Sequence, residues 1–149
     1  MQQIVYAMQF KGQAVPGGGP SGPMEVESTA VSSSITSVIN SGGLTGGFDP
    51  AAAAAAIFRS EVTLKSESTF TEAGSITFGS GDHRLRFSTV GEGWLAPGPQ
   101  PSIKQGTVTW KVEGGEGQFE GAAGLITSNF TLSDTGEVHD YHLGILYIR

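Results

Sequence analysis

The sequence predicts an all-β fold: an antiparallel sheet that closes into a barrel and carries one short helix. Three observations lead there. Apolar residues recur with a period of two in one segment after another, the pattern of strands with one buried face. Turn formers separate these segments at short intervals, with 23 glycines and 7 prolines in 149 residues. The final segment, residues 141–148, is apolar on both faces, which would make an open edge strand aggregate. Closing the sheet removes that edge, and a second subunit would cover the apolar residues left outside.

The first strand is read in "QIVYAMQFK", where Ile4, Tyr6, Met8 and Phe10 share one face. Residues 16–23, "PGGGPSGP", cannot hold a ladder and read as a loop. Alternation resumes in "MEVESTAV", with Met24, Val26 and Ala30 opposite Glu25, Glu27 and Thr29. Residues 32–47 fit either an extension of that strand or a loop. The helix is expected at "FDPAAAAAAIF": Asp49 is a good N-cap, Pro50 suits the first turn, and alanine has the highest helix propensity. A short helix of this kind would lie as a lid over an open end of the β-structure. "EVTLKSESTFT" reads as one strand, with Val62, Leu64 and Phe70 inward. A hairpin follows, turning at "GSGD", with His83, Leu85 and Phe87 opposite Arg84 and Arg86. "GWLAPGPQPS" reads as a proline-rich connection, and "GTVTWKVE" as a strand with Val108, Trp110 and Val112 on one side. The last hairpin turns at "DTG", which supplies the glycine that a three-residue turn with a bulge requires.

Residues 114–124, "GGEGQFEGAAG", decide between two kinds of glycine loop. A dinucleotide fingerprint needs a third glycine where Glu120 stands, and a phosphate loop needs Gly-Lys-Ser or Gly-Lys-Thr. Neither is met, and a strand pattern follows instead of a helix. These glycines let the backbone bulge around a corner while Phe119 anchors it. The pattern Gly114, Gly115, Gly117, Phe119, Ala122, Gly124, continued by "SDTGEVHDYHLGILYI", resembles the allene oxide cyclase and dirigent-protein barrels. The resemblance covers the C-terminal part of the chain, and elsewhere extends only to strand rhythm. It implies a closed antiparallel eight-stranded β-barrel, calycin-like and allene oxide cyclase-like, spanning residues 1–149 as one domain. It also implies a mainly apolar lumen, trimers packed through outer barrel faces, and cofactor-free handling of a hydrophobic small molecule. Plant dirigent proteins carry cysteines and are secreted, and neither feature is present here. A lipocalin would carry Gly-x-Trp on its first strand, whereas Trp94 and Trp110 come late.

Composition narrows the functions. A net charge of −6 with only eight scattered Lys and Arg residues gives no surface for nucleic acid. Without cysteine there is no thiolate nucleophile and no disulfide. The N-terminal residues lack the basic and apolar regions of a signal peptide, and no apolar run reaches the roughly 20 residues that span a bilayer. A soluble, cytoplasmic protein without membrane, metal or cofactor is expected, as a dimer or trimer.

The candidate catalytic residues are His142, Arg86 and Asn129. His139 and His142 are three apart, hence on opposite faces of a strand, and cannot share a metal ion within one subunit without distortion. His142 is an acid or base if it faces the lumen. Arg86 and Arg84 share a face; outward they pair with acids, inward they orient a carboxylate or enolate. Tyr6, Phe87, Trp110 and Tyr141 are the candidate ligand-binding aromatics. Three functions fit such a barrel: an isomerase or cyclase, a carrier, or a structural module with a filled interior.

Overall fold

The computed structural model describes residues 1–17 and 23–149. Among these residues nine antiparallel strands run in chain order: β1 (Gln2–Pro16), β2 (Met24–Asn40), β3 (Gly43–Leu64), β4 (Thr69–Phe78), β5 (His83–Thr89), β6 (Gly93–Pro97), β7 (Ile103–Glu116), β8 (Ala123–Ser133) and β9 (Glu137–Ile148). A 3-10 turn, Gly117–Phe119, joins β7 to β8. The loop expected over residues 16–23 falls mostly outside the described residues.

Pairing runs β3-β2-β1-β9-β8-β7-β5-β4, and a β3–β4 ladder closes the ring. The barrel has eight positions because β5 and β6 share one. Both lie between β4 and β7, and the chain breaks step between them at residues 90–92, where Gly91 adopts φ 69°. The expected closed antiparallel eight-stranded barrel is therefore present. The proline-rich connection after Gly93 begins as strand β6, paired with β7 from Trp94–Thr107 to Pro97–Lys104.

The expected helix is absent, and residues 49–58 are extended within β3. Alanine propensity is worth at most a few tenths of a kcal/mol per residue over ordinary residues. Against it stand two ladders: Ala56 pairs with Ala30 of β2 and Phe78 of β4, and the same registers continue to Val62. Alternation persists there too, with Ala56, Phe58 and Ser60 buried and Arg59 exposed. The ambiguous stretch 32–47 is strand as well. Beyond Thr29 and Ala56 the β2–β3 hairpin pairs with no third strand among the described residues and continues as a two-stranded ribbon. The segment read as one strand over residues 61–71 folds back instead at residues 65–68. There the Ser66 and Thr69 hydroxyls bond at 2.9 Å and the Lys65 N–H donates to the Thr69 carbonyl.

Inside, Phe10, Phe58, Phe87 and Trp110 form an aromatic floor; Phe58 stacks on Phe87 at 5.3 Å and Phe87 on Trp110 at 4.6 Å. One end of the barrel is plugged from the glycine cluster, where Phe119 is buried and packs on Phe78 at 5.3 Å. Gly114 and Gly117 take positive φ to make the corner. Gly115 is needed for a different reason: a Cβ there would lie 2.1 Å from the Arg84 carbonyl oxygen and 2.8 Å from the Phe119 Cβ. Among the described residues no helix is long and apolar enough to cross a membrane.

These two requirements separate by mutation. Gly114→Ala meets open space and incurs only left-handed backbone strain, about 1–2 kcal/mol. Gly115→Ala forces backbone against backbone and loosens the plug, costing about 2–3 kcal/mol. Urea melts of the two variants give the order.

Candidate functional site

At the end opposite the glycine plug the interior stays partly open. A cavity of about 60 Å³ opens toward the β3–β4 and β8–β9 turns. Its walls are apolar: Met24 and Val26 from β2, Val62 from β3, Phe70 from β4, Phe130 and Leu132 from β8, Val138 from β9. One water needs ~10–15 Å³ and benzene enters a cavity of ~150 Å³, so a compact group fits here.

Three polar side chains break the apolar wall: Glu72, Asp140 and Ser128. Strand parity aims them inward. Glu72 follows Phe70 by two on β4, Asp140 lies between Val138 and His142 on β9, and Ser128 pairs with His142 across β8–β9. Glu72 is 7% and Asp140 5% exposed. Each carboxyl is held on both oxygens. Glu72 accepts from the Trp110 indole N–H at 3.1 Å on Oε2, and its Oε1 bonds the Ser60 hydroxyl. Asp140 accepts from Ser128 Oγ at 2.6 Å on Oδ1, and its Oδ2 lies 2.8 Å from His142 Nε2.

Burial pushes the Glu72 carboxyl up to about 8; the Asp140 charge adds to the rise, and the Ser60 and Trp110 bonds oppose it. At neutral pH Glu72 is therefore a carboxylic acid. Its proton can be placed. An indole N–H can only donate, so Oε2 serves best as the carbonyl acceptor, which favours the acid proton on Oε1 beside Ser60, whose hydroxyl rotates to suit. Burial, reinforced by Asp140, also holds the Tyr6 phenol well above its usual range.

The arrangement is not a nucleophilic triad. Ser128 donates to Asp140, not to His142, so no base activates its hydroxyl. Among the described residues no three His, Asp or Glu side chains could hold a metal ion.

Of the residues singled out in the sequence, His142 faces the lumen, 1% exposed, packed on Phe10 at 4.4 Å and edge-on to Trp110 at 5.1 Å. Phe87 and Trp110 lie in the floor beneath the cavity. Tyr6 lines the barrel wall near Phe78, and only a glycine at 144 leaves space for its ring. The other three are outside. Arg86 is exposed and, with Arg84, pairs with Glu116 at 3.5 and 2.6 Å, because Leu85 and Phe87 take the inner face. Asn129 is exposed, one residue out of step with Ser128. Tyr141 lies on the outer face, where its hydroxyl accepts from Gln9 Nε2 at 3.3 Å. His139 also points outward, to Glu137, so the two histidines do occupy opposite faces. Sequence reasoning missed Glu72, Asp140, Ser60 and Ser128. Parity with Phe70 was the available signal for Glu72. For Asp140 there was none, since both faces of β9 are apolar around it.

No family model and no curated protein matches the chain. Among solved structures the chain is similar to the pterocarpan synthase dirigent protein GePTS1, at 14% identity over 99% of this chain and 87% of that one, with a TM-score of 0.49.

The raised Glu72 pKa fixes a pH dependence. Unfolded, this carboxyl ionises near 4.5; folded, near 8. Between these values the folded state holds a proton that the unfolded state has released, so stability falls as pH rises through this window and levels off above it. The full span is on the order of 5 kcal/mol. Glu72→Gln keeps an acceptor for Trp110 and cannot ionise. Its denaturation midpoint should match the parent's near pH 4.5 and exceed it clearly at pH 9.

Proposed function

We propose that the protein binds a small apolar molecule in the open end of its barrel and acts on it as a cofactor-independent isomerase or cyclase. The observation that carries this reading is Glu72, a carboxylic acid kept neutral by burial on the wall of an otherwise apolar cavity that also holds Asp140. A perturbed acid in a concave apolar site is the usual mark of proton chemistry. Glu72 Oε1–H delivers a proton to one atom of the bound molecule, and the Asp140 carboxylate accepts a proton from another. The ligand's formula is unchanged, as an isomerisation requires. Ser128 and His142 hold the Asp140 carboxylate in place, and the apolar walls exclude water and fix the ligand's conformation.

A filled, purely structural interior is the rival reading, and the aromatic floor favours it for the plugged half of the barrel. Xenon separates the two, because dry apolar cavities take it up. One xenon site is expected among Val26, Val62, Phe70 and Leu132, and Val62→Phe should abolish it. No site in the parent protein would leave the structural reading. Glu72→Gln should keep the xenon site and lower any turnover by about 10²–10⁴-fold.

The same reading includes self-association as a dimer or trimer. Val5, Leu125, Leu143, Ile145 and Tyr147 are 40–61% exposed on the outer face of β1, β9 and β8, where Val5 and Leu125 both pair with Ile145. This patch carries no charge in a chain of net charge −6, so a second copy meets it without repulsion. Light scattering should give an oligomer, and Leu143→Lys with Ile145→Lys a monomer.

A further inference from the structure

The charge inside the barrel is one-sided. All eight Lys and Arg side chains lie on the outside. His83, half-buried on the inner face of β5, sits at the plugged end, where its Nδ1 accepts from the Gln118 N–H. Among the described residues the ionisable groups facing the open lumen are Glu72 from β4, Asp140 and His142 from β9, and Tyr6 from β1. Among these only His142 could supply a positive charge, and its hydrogen bonds argue against it. Nε2 bonds Asp140, while Nδ1 is buried without a partner. An imidazolium would leave a buried Nδ1–H with no acceptor, which is costly; a neutral ring donating Nε2–H to Asp140 leaves only a lone pair unfilled. Asp140 thus has two hydrogen-bond donors and no cation. A buried carboxylate is tolerated when hydrogen-bonded, but its charge still lacks a counter-ion in a medium that screens poorly.

Given that the lumen binds a small molecule, we propose that its occupant is a compact apolar compound carrying a single protonated amine, received head-first between Asp140 and Glu72. An ammonium has three donors and no acceptor, and the four oxygens of these two carboxyls each retain unused acceptor capacity. The apolar walls of Val26, Val62, Phe130 and Val138 take the hydrocarbon part. A ligand carboxylate would add a second negative charge beside Asp140, and an alcohol would leave the existing one uncompensated.

The test compares n-butylamine, n-butanol and n-butyrate at pH 7, followed through the methyl resonances of Val26, Val62 and Val138 so that binding elsewhere on the acidic surface is not counted. Butylamine should saturate these shifts at a concentration at least tenfold below butanol, and butyrate should not saturate them. Asp140→Asn removes the charge while keeping partners for Ser128 and His142. It should erase the preference for the amine and leave butanol binding within about twofold. If that variant does not fold, the series on the parent protein decides alone. Butanol binding as tightly as butylamine would overturn the amine assignment and leave the lumen as a binding site. Xenon uptake without uptake of butylamine would do the same. Failure of all three compounds and of xenon would remove both.

Discussion

The pairing of β3 with β4, from Ala56–Phe78 to Leu64–Phe70, is the constraint on which the molecule depends. Without it the sheet would have two open edges, and inside and outside would not be defined. With it, every strand must place alternate residues in a lumen narrow enough for side chains to fill. That closure turns a period of two into chemistry. Ser60, Glu72, Ser128, Asp140 and His142 sit on four different strands and meet only because the ring closes around them.

Much of the barrel was legible in the sequence, because the alternation of Ile4, Tyr6, Met8 and Phe10, or of Val108, Trp110 and Val112, is a local property of a half-buried strand. The glycine cluster was legible too, since residues 114–124 lack the lysine and the third spacing of an anion loop and are followed by a strand. Residues 49–58 were not. Six alanines and an Asp-Pro start describe a good isolated helix, and nothing local reports that β2 and β4 stand ready on either side. Tertiary pairing overrode propensity there.

The site divides in the same way. His142 was found because a histidine draws attention, and its parity on β9 follows from the strand. Asn129 and Tyr141 were misplaced in one step, the choice of which face turns inward, whereas Arg86 took the outward, acid-paired alternative that its strand pattern had left open. A strand apolar on both sides, such as β9, leaves that choice open until Leu146 and Ile148 are seen buried and Leu143 and Ile145 exposed. Glu72 was passed over because it follows two other glutamates at short intervals, Glu61 and Glu67. Only the indole of Trp110, 38 positions away, distinguishes it.

The energetics of Glu72 bear on why such a group is there at all. A small domain is stable by about 5–15 kcal/mol, so a carboxyl whose burial costs several kcal/mol at neutral pH takes a large share of that margin. A glutamine would make the same two hydrogen bonds without the cost, and a methionine would fill the same space. An interior selected for packing alone gains nothing from an ionisable acid next to a second carboxyl whose charge raises the first one's resistance to ionising. The aromatic floor deeper in the barrel shows how this chain packs when only packing is required: Phe58, Phe87 and Trp110 in mutual contact. The acid, the second carboxyl and the cavity occur together at the open end alone, which is where a ligand would have to enter.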